Sequence, residues 1–224
     1  MNKSIVWSFL GRISYSECLE IQRSLQNNII SGEDSSCGQI LFLEHEPVIT
    51  VGKFGSKQNL LASKQILQER GIELFETERG GDFTYHGPGQ LVCYPVLNLK
   101  KLGLGVKKYV YLLEEVVIRT LKDYGIDAER KDKFPGVWVG DCKIAFIGIY
   151  VKRHVTMHGF SMNIENQADN FSHIIPCGIS ELKIISVSEV LGRKVKWQET
   201  THNLVEKFEQ ELGVKIETNE KTSF

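Results

Sequence analysis

Between positions 136 and 164 three strand-like runs follow one another with almost no chain between them: Gly136–Val139, 143–151 and 155–164. Gly140-Asp141-Cys142 joins the first two, and a Gly-Asp pair tolerates the positive φ of a hairpin turn. Strands connected this tightly must pair antiparallel, because a parallel neighbour needs a crossover of a dozen residues or more. Elsewhere helices and strands interleave. The expected fold class is therefore α/β of the α+β type, with a mixed β-sheet flanked by helices and not a purely parallel one. No repeat, linker or low-complexity segment divides the chain, so 1–217 reads as one domain and 218–224 as a polar C-terminal tail.

The helices announce themselves by caps and apolar stripes. Ser14 and Glu17 form a capping box before a helix over 14–28, with Tyr15, Cys18, Leu19, Gln22, Leu25 and Ile29 along one stripe. Over 106–124, Val106, Tyr109, Val110, Leu113, Val116, Val117, Leu121 and Tyr124 hold one face, and Gly125 stops the helix. Shorter helices are expected from Ser63 to Gly71, over 186–191 behind a Ser186/Glu189 capping box, and over 201–212. Strand-like runs cover 40–51, broken at Glu46-Pro47, then 72–77, 90–97 and 214–217.

Composition excludes several classes. With 42% hydrophobic and 25% charged residues, 224 residues can bury a core without disulfides or metal. A formal net charge of −1 gives no bulk attraction to nucleic acid or to an anionic membrane. Cys18, Cys37, Cys93, Cys142 and Cys177 are far apart and include no C-x-x-C pair, which argues against a disulfide framework or a zinc ribbon and for a reducing compartment. The six histidines include no H-E-x-x-H, and the one H-x-x-x-H spacing, His154 to His158, falls on a strand-like run where residues four apart stand about 13 Å from each other, so no metal site is expected. The apolar run 5–10 is too short for a signal segment or a membrane span, and cytoplasm is the expected location.

Four places can carry chemistry. The stretch Arg79-Gly80-Gly81-Asp82-Phe83-Thr84-Tyr85-His86-Gly87-Pro88-Gly89-Gln90 reads as a ligand loop, since its glycines allow close backbone approach. A plain surface loop also needs turn residues, but seldom combines them with Arg, Asp, Tyr and His. Pro176-Cys177-Gly178 places a cysteine at a tight turn where its sulfur can be presented, against the commoner fate of a buried structural thiol. His158 interrupts a strand and precedes Gly159, a mark of close backbone approach; a hydrogen-bonded core histidine is the equal alternative. Lys143 opens a strand just after a turn, and spacing alone makes it a solvated strand-end lysine. A Cys–His pairing of Cys177 with His158 or His86 stays open.

Together these motifs resemble the lipoyl(octanoyl) transferases, octanoyl-acyl-carrier-protein:protein octanoyltransferases. The matching pieces are R-G-G-D-F-T-Y-H-G-P-G-Q-L-V from Arg79 to Val92, P-G-V-W-V-G-D-C-K-I-A from Pro135 to Ala145, V-T-M-H-G-F-S-M-N from Val155 to Asn163 and P-C-G-I from Pro176 to Ile179. They keep the family's order, and the similarity runs from about residue 5 to 213. The resemblance implies the fold of the biotin and lipoate protein ligase catalytic domain. It puts the acyl-thioester cysteine on Cys177 and the lysine that activates it on Lys143. Substrate-binding segments fall on Arg79, Gly80, Gly81, Asp82, Phe83, Thr84, Tyr85 and His86, on Phe146, Ile147 and Gly148, and on Gly159, Phe160 and Ser161. Phe146 stands where the pattern has a small residue, so it either narrows the acyl pocket or displaces a strand. Asn98 replaces an acidic residue, and 181–185 is atypical of the family.

The implied reaction moves an octanoyl group from octanoyl-acyl carrier protein, through Cys177, to a lysine of the lipoyl domains of 2-oxoacid dehydrogenase complexes and of the glycine cleavage H protein. It implies no cofactor, no nucleic acid, no membrane and a monomer. A free thiol with a pKa of about 8.5 is only a few per cent thiolate at neutral pH, so a neighbouring ammonium helps. Tyr85, Phe146 and Phe160 are expected walls for the acyl tail, and amides near Gly178 or Gly159 expected oxyanion donors. Lys107, Lys108, Lys131, Lys133, Lys152 and Arg153 form an expected basic docking face, or an ordinary solvated one. Three rivals remain: an ATP-dependent lipoate- or biotin-protein ligase, a non-catalytic lipoyl-domain-binding protein and a Cys–His thioesterase.

Overall fold

The computed structural model describes residues 4–166 and 168–219. Its first half runs β1 (Ile5–Ile13), α1 (Tyr15–Ser31), β2 (Gly38–His45), β3 (Val48–Val51), α2 (Lys64–Glu69), β4 (Glu73–Glu76), β5 (Phe83–His86), β6 (Gln90–Leu97), α3 (Leu99–Leu102) and α4 (Val106–Asp123). The second half adds β7 (Glu129–Arg130), β8 (Gly136–Val139), β9 (Cys142–Lys152), β10 (Val155–Asn163), β11 (Lys183–Ile184), α5 (Val187–Leu191), α6 (Trp197–Leu212) and β12 (Ile216–Thr218).

The expected hairpins are present: β8 pairs antiparallel with β9, and β9 with β10. They belong to a larger sheet in the order β12-β1-β2-β6-β10-β9-β8-β7, in which β11 lies against β9. β1 runs parallel to β12 and to β2, whereas β6 runs antiparallel to both of its neighbours, β2 and β10, so the sheet is mixed. Alternation along β2 explains how both faces are covered. Ile40 and Phe42 join Tyr109, Leu113 and Val117 of α4 and Phe208 of α6 in one buried cluster. Leu41 and Leu43 join Cys18 of α1, with Val92 and Tyr94 of β6, in another. Each large side chain fully buried this way contributes about 1.5–3 kcal/mol, and the two helical layers thus pin the sheet from both sides.

Several expectations change in three dimensions. The break at Glu46-Pro47 is a change of sheet: β2 stays in the large one, while β3 pairs with β4 and β5 in a second, three-stranded sheet. The supposed loop 79–90 contains β5, four buried residues stabilised by pairing with a strand far away in sequence, which local pattern cannot reveal. The run 5–10 is part of β1, with parallel neighbours on both sides. The last helix begins at Trp197, before the expected 201. Thr200 and Thr201 looked like a start, but their hydroxyls donate back to the carbonyls of Lys196 and Trp197, at 3.1 and 2.9 Å, within the first turns. Strand β12 takes in Thr218, the first residue of the expected tail; 220–224 lie outside the described residues.

Candidate active site

Two connections bring the chemistry together. Lys143 sits at the start of β9, where β11 lies parallel, pairing Lys183 with Cys142 and Ile184 with Lys143. The turn Pro176–Gly178 precedes β11 by a few residues, so this pairing returns Cys177 to the lysine's strand. Cys177 adopts φ 57 and ψ 15, a left-handed conformation that costs a non-glycine residue about 1–2 kcal/mol. Its surroundings hold it there. Asn59 accepts at its carbonyl from Ile175 N (2.8 Å), and its side-chain amide donates to Asp82 Oδ2. Asp82 Oδ1 accepts from Ser56 N and Phe83 N at 3.2 and 2.8 Å. A Cβ at Gly178 would stand 2.9 Å from Asp82 Oδ2, so the turn closes onto that carboxylate.

The result is a contact of 3.7 Å between Lys143 Nζ and Cys177 Sγ. Lys143 is 1% exposed, so the solvated lysine expected from spacing is instead buried. The rings of Phe146 and Trp138 lie 5.0 and 5.3 Å from its Nζ, and Nζ donates to Pro135 O at 2.8 Å. Burial lowers its pKa below the ordinary lysine value, while Cys177 and the Glu114 carboxylate oppose that fall. Cys18 and Cys93 are buried thiols whose pKa burial raises, Cys18 to about 12. They pack, and nothing prepares them as nucleophiles.

Cys177 lines a cavity with residues of all three expected substrate segments: Arg79, Gly81, Asp82, Phe83, Thr84 and His86; Phe146, Ile147 and Gly148; and Gly159, Phe160 and Ser161. Two expected residues are elsewhere. Alternation along β5 turns Thr84 and His86 towards the cavity and Tyr85 away, against Phe171 at 5.6 Å between ring centroids. Tyr85 therefore backs the wall without forming it. Gly80 lines a second, outer groove with Val110, Lys133, Phe134, Ile149 and Ile179, and both Lys143 and Cys177 open onto it. Phe146 keeps register with Ser161 and Gly136, stacks on Phe171 at 5.2 Å and lines the cavity.

Charged residues here mostly serve the chain itself. Buried Arg79 donates to Thr50 O and Asp82 O, both at 2.7 Å, and to Thr50 Oγ1, tying its loop to β3. His86 Nδ1 meets Gln90 Oε1 at 2.7 Å, and His158 Nε2 meets Thr77 Oγ1 at 3.3 Å. Burial holds both imidazoles neutral, with pKa values near 3. Neither is hydrogen-bonded to Cys177; among the described residues the partner at the sulfur is Lys143. His158 has φ 57 inside β10, and a Cβ at Gly159 would stand 2.3 Å from Cys93 O, which explains the interruption read at that point. Thr84 Oγ1, Ser161 Oγ and His158 Nδ1 are buried without a protein partner, and their residues share the cavity. Such atoms take up water or a ligand's polar atoms.

Sequence reasoning missed Asn59, Trp138 and Glu114. Trp138 lies inside a quoted motif, whereas nothing local marks Asn59 or Glu114. The expected basic face divides: Lys133 lines the outer groove, but Lys152 and Arg153 lie at the far end of β9, nine residues or about 30 Å from Lys143. Among the described residues no group of three or more His, Cys, Asp or Glu could hold a metal ion, and no helix is long and apolar enough to cross a membrane.

Comparison with known proteins places this arrangement. A family model described as the lipoyl protein ligase A/B catalytic domain matches residues 14–209. An octanoyltransferase from Caldicellulosiruptor saccharolyticus is 43% identical over 210 residues, covering 93% of this chain and 88% of the relative. Among solved structures, a chain from a bipartite lipoate protein ligase and its E2 lipoyl domain of Thermoplasma acidophilum superposes with a TM-score of 0.72 at 17% identity, covering 100% of this chain and 88% of the other. A biotin protein ligase from Aquifex aeolicus gives a TM-score of 0.51 at 14% identity, covering 95% and 70%. The structural likenesses show the fold expected from the motifs.

Proposed function

The chain belongs to the lipoyl protein ligase A/B catalytic domain family and, within it, to the octanoyltransferases, which are acyltransferases; on that premise we propose that Cys177 is its nucleophile and Lys143 the partner that activates it. The donor in this reading is octanoyl-acyl carrier protein, and the acceptors are lysines of lipoyl domains in 2-oxoacid dehydrogenase complexes and of the glycine cleavage H protein. The observation that carries it is the 3.7 Å contact between a buried lysine and a cysteine held at a strained turn.

The ammonium beside the sulfur favours the thiolate. The thiolate attacks the thioester carbonyl, the donor's carbon–sulfur bond breaks, and the departing thiolate takes the Lys143 proton. One thioester replaces another, so this half is nearly isoenergetic. The acceptor amine then attacks the Cys177 thioester, neutral Lys143 receives the amine's surplus proton, and Cys177 leaves as a thiolate. The amide formed is more stable than the thioester, which drives the sequence without ATP. In this reading Phe146 and Phe160 cover the octanoyl tail, supported by their lining the cavity, to which Ser161 and Thr84 bring unpartnered hydroxyls.

An ATP-dependent ligase is the rival that shares the fold, and it has no use for a nucleophilic cysteine. Intact-protein mass spectrometry after mixing with octanoyl-acyl carrier protein separates the two. The expected result is one octanoyl adduct, sensitive to hydroxylamine and transferred to an apo lipoyl domain without nucleotide. A strict requirement for ATP and free octanoate would move the chain to the ligases.

A further inference from the structure

The ammonium of Lys143 and the carboxylate of Glu114 do not touch, yet a single peptide group joins them. The carbonyl of Pro135 accepts from Lys143 Nζ at 2.8 Å. The N–H of the same peptide unit, at Gly136, donates to Glu114 Oε1 at 3.0 Å. A planar trans peptide points these two groups in opposite directions, so the carboxylate holds one side of the plane and the ammonium the other. Each bond polarises the amide in the sense that strengthens the other.

The surrounding packing leaves this bridge little freedom. Gly136 has φ 131, and a Cβ there would stand 2.5 Å from Lys143 Cε and 2.6 Å from Ala145 O, so the lysine stem runs across the bare backbone. Glu114 is 8% exposed on α4, and its Oε2 pairs with Arg130 Nε at 3.2 Å. Arg130 is itself anchored by Glu115 Oε2 at 2.5 Å and by Tyr111 O at 3.1 Å. The guanidinium is thus shared between two carboxylates, which leaves local negative charge on the side that faces the peptide.

We propose that Glu114 is a positioning residue for the transfer reaction, holding the Pro135–Gly136 peptide as a polarised bridge that fixes Lys143 at Cys177 and keeps it an ammonium. The inference rests on the reading of Lys143 as the activating partner and extends it to a residue on another element. Burial works against a charged lysine here, and the groups that resist it are few. Cys177 faces Nζ from the turn, Glu114 acts from α4 through the peptide, and β8 and β9 offer only the rings of Trp138 and Phe146. Desolvation is already the largest influence on this lysine, followed by Cys177, and losing the carboxylate would leave it neutral for more of its time. A neutral lysine neither favours the Cys177 thiolate nor supplies the proton that the departing thiolate takes up.

The test uses Glu114→Gln, which keeps an oxygen to accept from Gly136 N and removes the charge. The Lys143 13Cε shift, assigned by its loss in Lys143→Ala, reads the titration directly. Its midpoint is expected to fall, because a negative charge that favours the ammonium is removed from across the peptide group. Transfer at pH 7.5 is expected to fall about tenfold, whereas Glu115→Gln, whose carboxylate meets Arg130 and not the peptide, moves the midpoint less. Added to Lys143→Ala, Glu114→Gln is expected to cost little further, the signature of action through the lysine. Should Arg130 without its partner prevent folding, Glu114→Gln/Arg130→Gln carries the same measurement. An unmoved Lys143 midpoint, or additive losses in the double variant, overturns the proposal. Undiminished transfer by Lys143→Ala would instead overturn the reading of Lys143 on which it rests.

Discussion

Lys143 Nζ and Cys177 Sγ stand 3.7 Å apart although 34 residues separate them in the chain, and the lysine that makes this contact is 1% exposed. Truncating either side has a distinct expected outcome. Cys177→Ala abolishes transfer and leaves no octanoyl adduct, while Cys18→Ala and Cys93→Ala retain the chemistry. Lys143→Ala slows transfer by about 10²–10⁴-fold, the usual worth of acid–base help, and slows alkylation of Cys177 at neutral pH. Lys143→Arg keeps the charge but exchanges no proton usefully, so alkylation survives better than aminolysis. An adduct that persists in Cys177→Ala contradicts the assignment.

The turn that presents Cys177 depends on Asn59 and Asp82, whose side chains meet beneath Gly178. Asp82 is therefore expected to act by holding the turn, since both its oxygens are engaged by the chain itself. Asn59→Ala removes the link to Asp82 and lets the left-handed turn relax. A displacement of the nucleophile of about 1 Å can cost as much as 10²-fold. Stopped-flow acylation should show a fall in kcat of about 10–100-fold with KM for the donor nearly unchanged. A rise in KM alone would point to lost donor binding and away from positioning.

Phe146 stacks on Phe171 at the cavity wall, and in the proposed reading it limits the room for the acyl chain. Phe146→Ala is expected to shift preference towards acyl chains longer than octanoyl in a competition assay scored by mass spectrometry. It also removes a buried ring, at about 3–5 kcal/mol. For a chain of this size that corresponds to a fall in Tm of roughly 6–20 °C. Unchanged chain-length preference at the lowered Tm would take Phe146 out of the wall.

Acid should destabilise this protein earlier than its carboxylates alone require. His45 is held neutral by burial, with its pKa lowered to about 4, and His86 and His158 are lowered to about 3. An unfolded histidine titrates near 6.5, so below that pH the unfolded chain binds more protons than the folded one. Stability is thus level above about pH 7 and declines from about pH 6.5 downwards, with an uptake approaching three protons by about pH 4.5. Urea unfolding from pH 8 to 4.5 measures the slope. A midpoint that stays level to pH 5 contradicts the buried neutral imidazoles.

The sequence by itself determined most of the longer elements and much of the chemistry. The N-cap at Ser14, the capping box at Ser186, the stripe over α4 and the tight turns between β8, β9 and β10 are local signals, because hydrogen bonding and side-chain periodicity act within a few residues. The ordered motifs were enough to single out Cys177 and Lys143 through their resemblance to a family, although spacing alone made the lysine a solvated one. Only the tertiary structure decided what surrounds them. Burial of Lys143 depends on β8 and α4 closing over it; β5 is a strand only because β3 lies alongside; Tyr85 packs behind the cavity against Phe171. Asn59, Asp82 and Glu114 act through backbone groups of segments distant in sequence, and a carboxylate that holds a peptide leaves no motif behind. Long-range pairing is set by which apolar faces find one another when the core closes, and a local pattern carries no record of that choice.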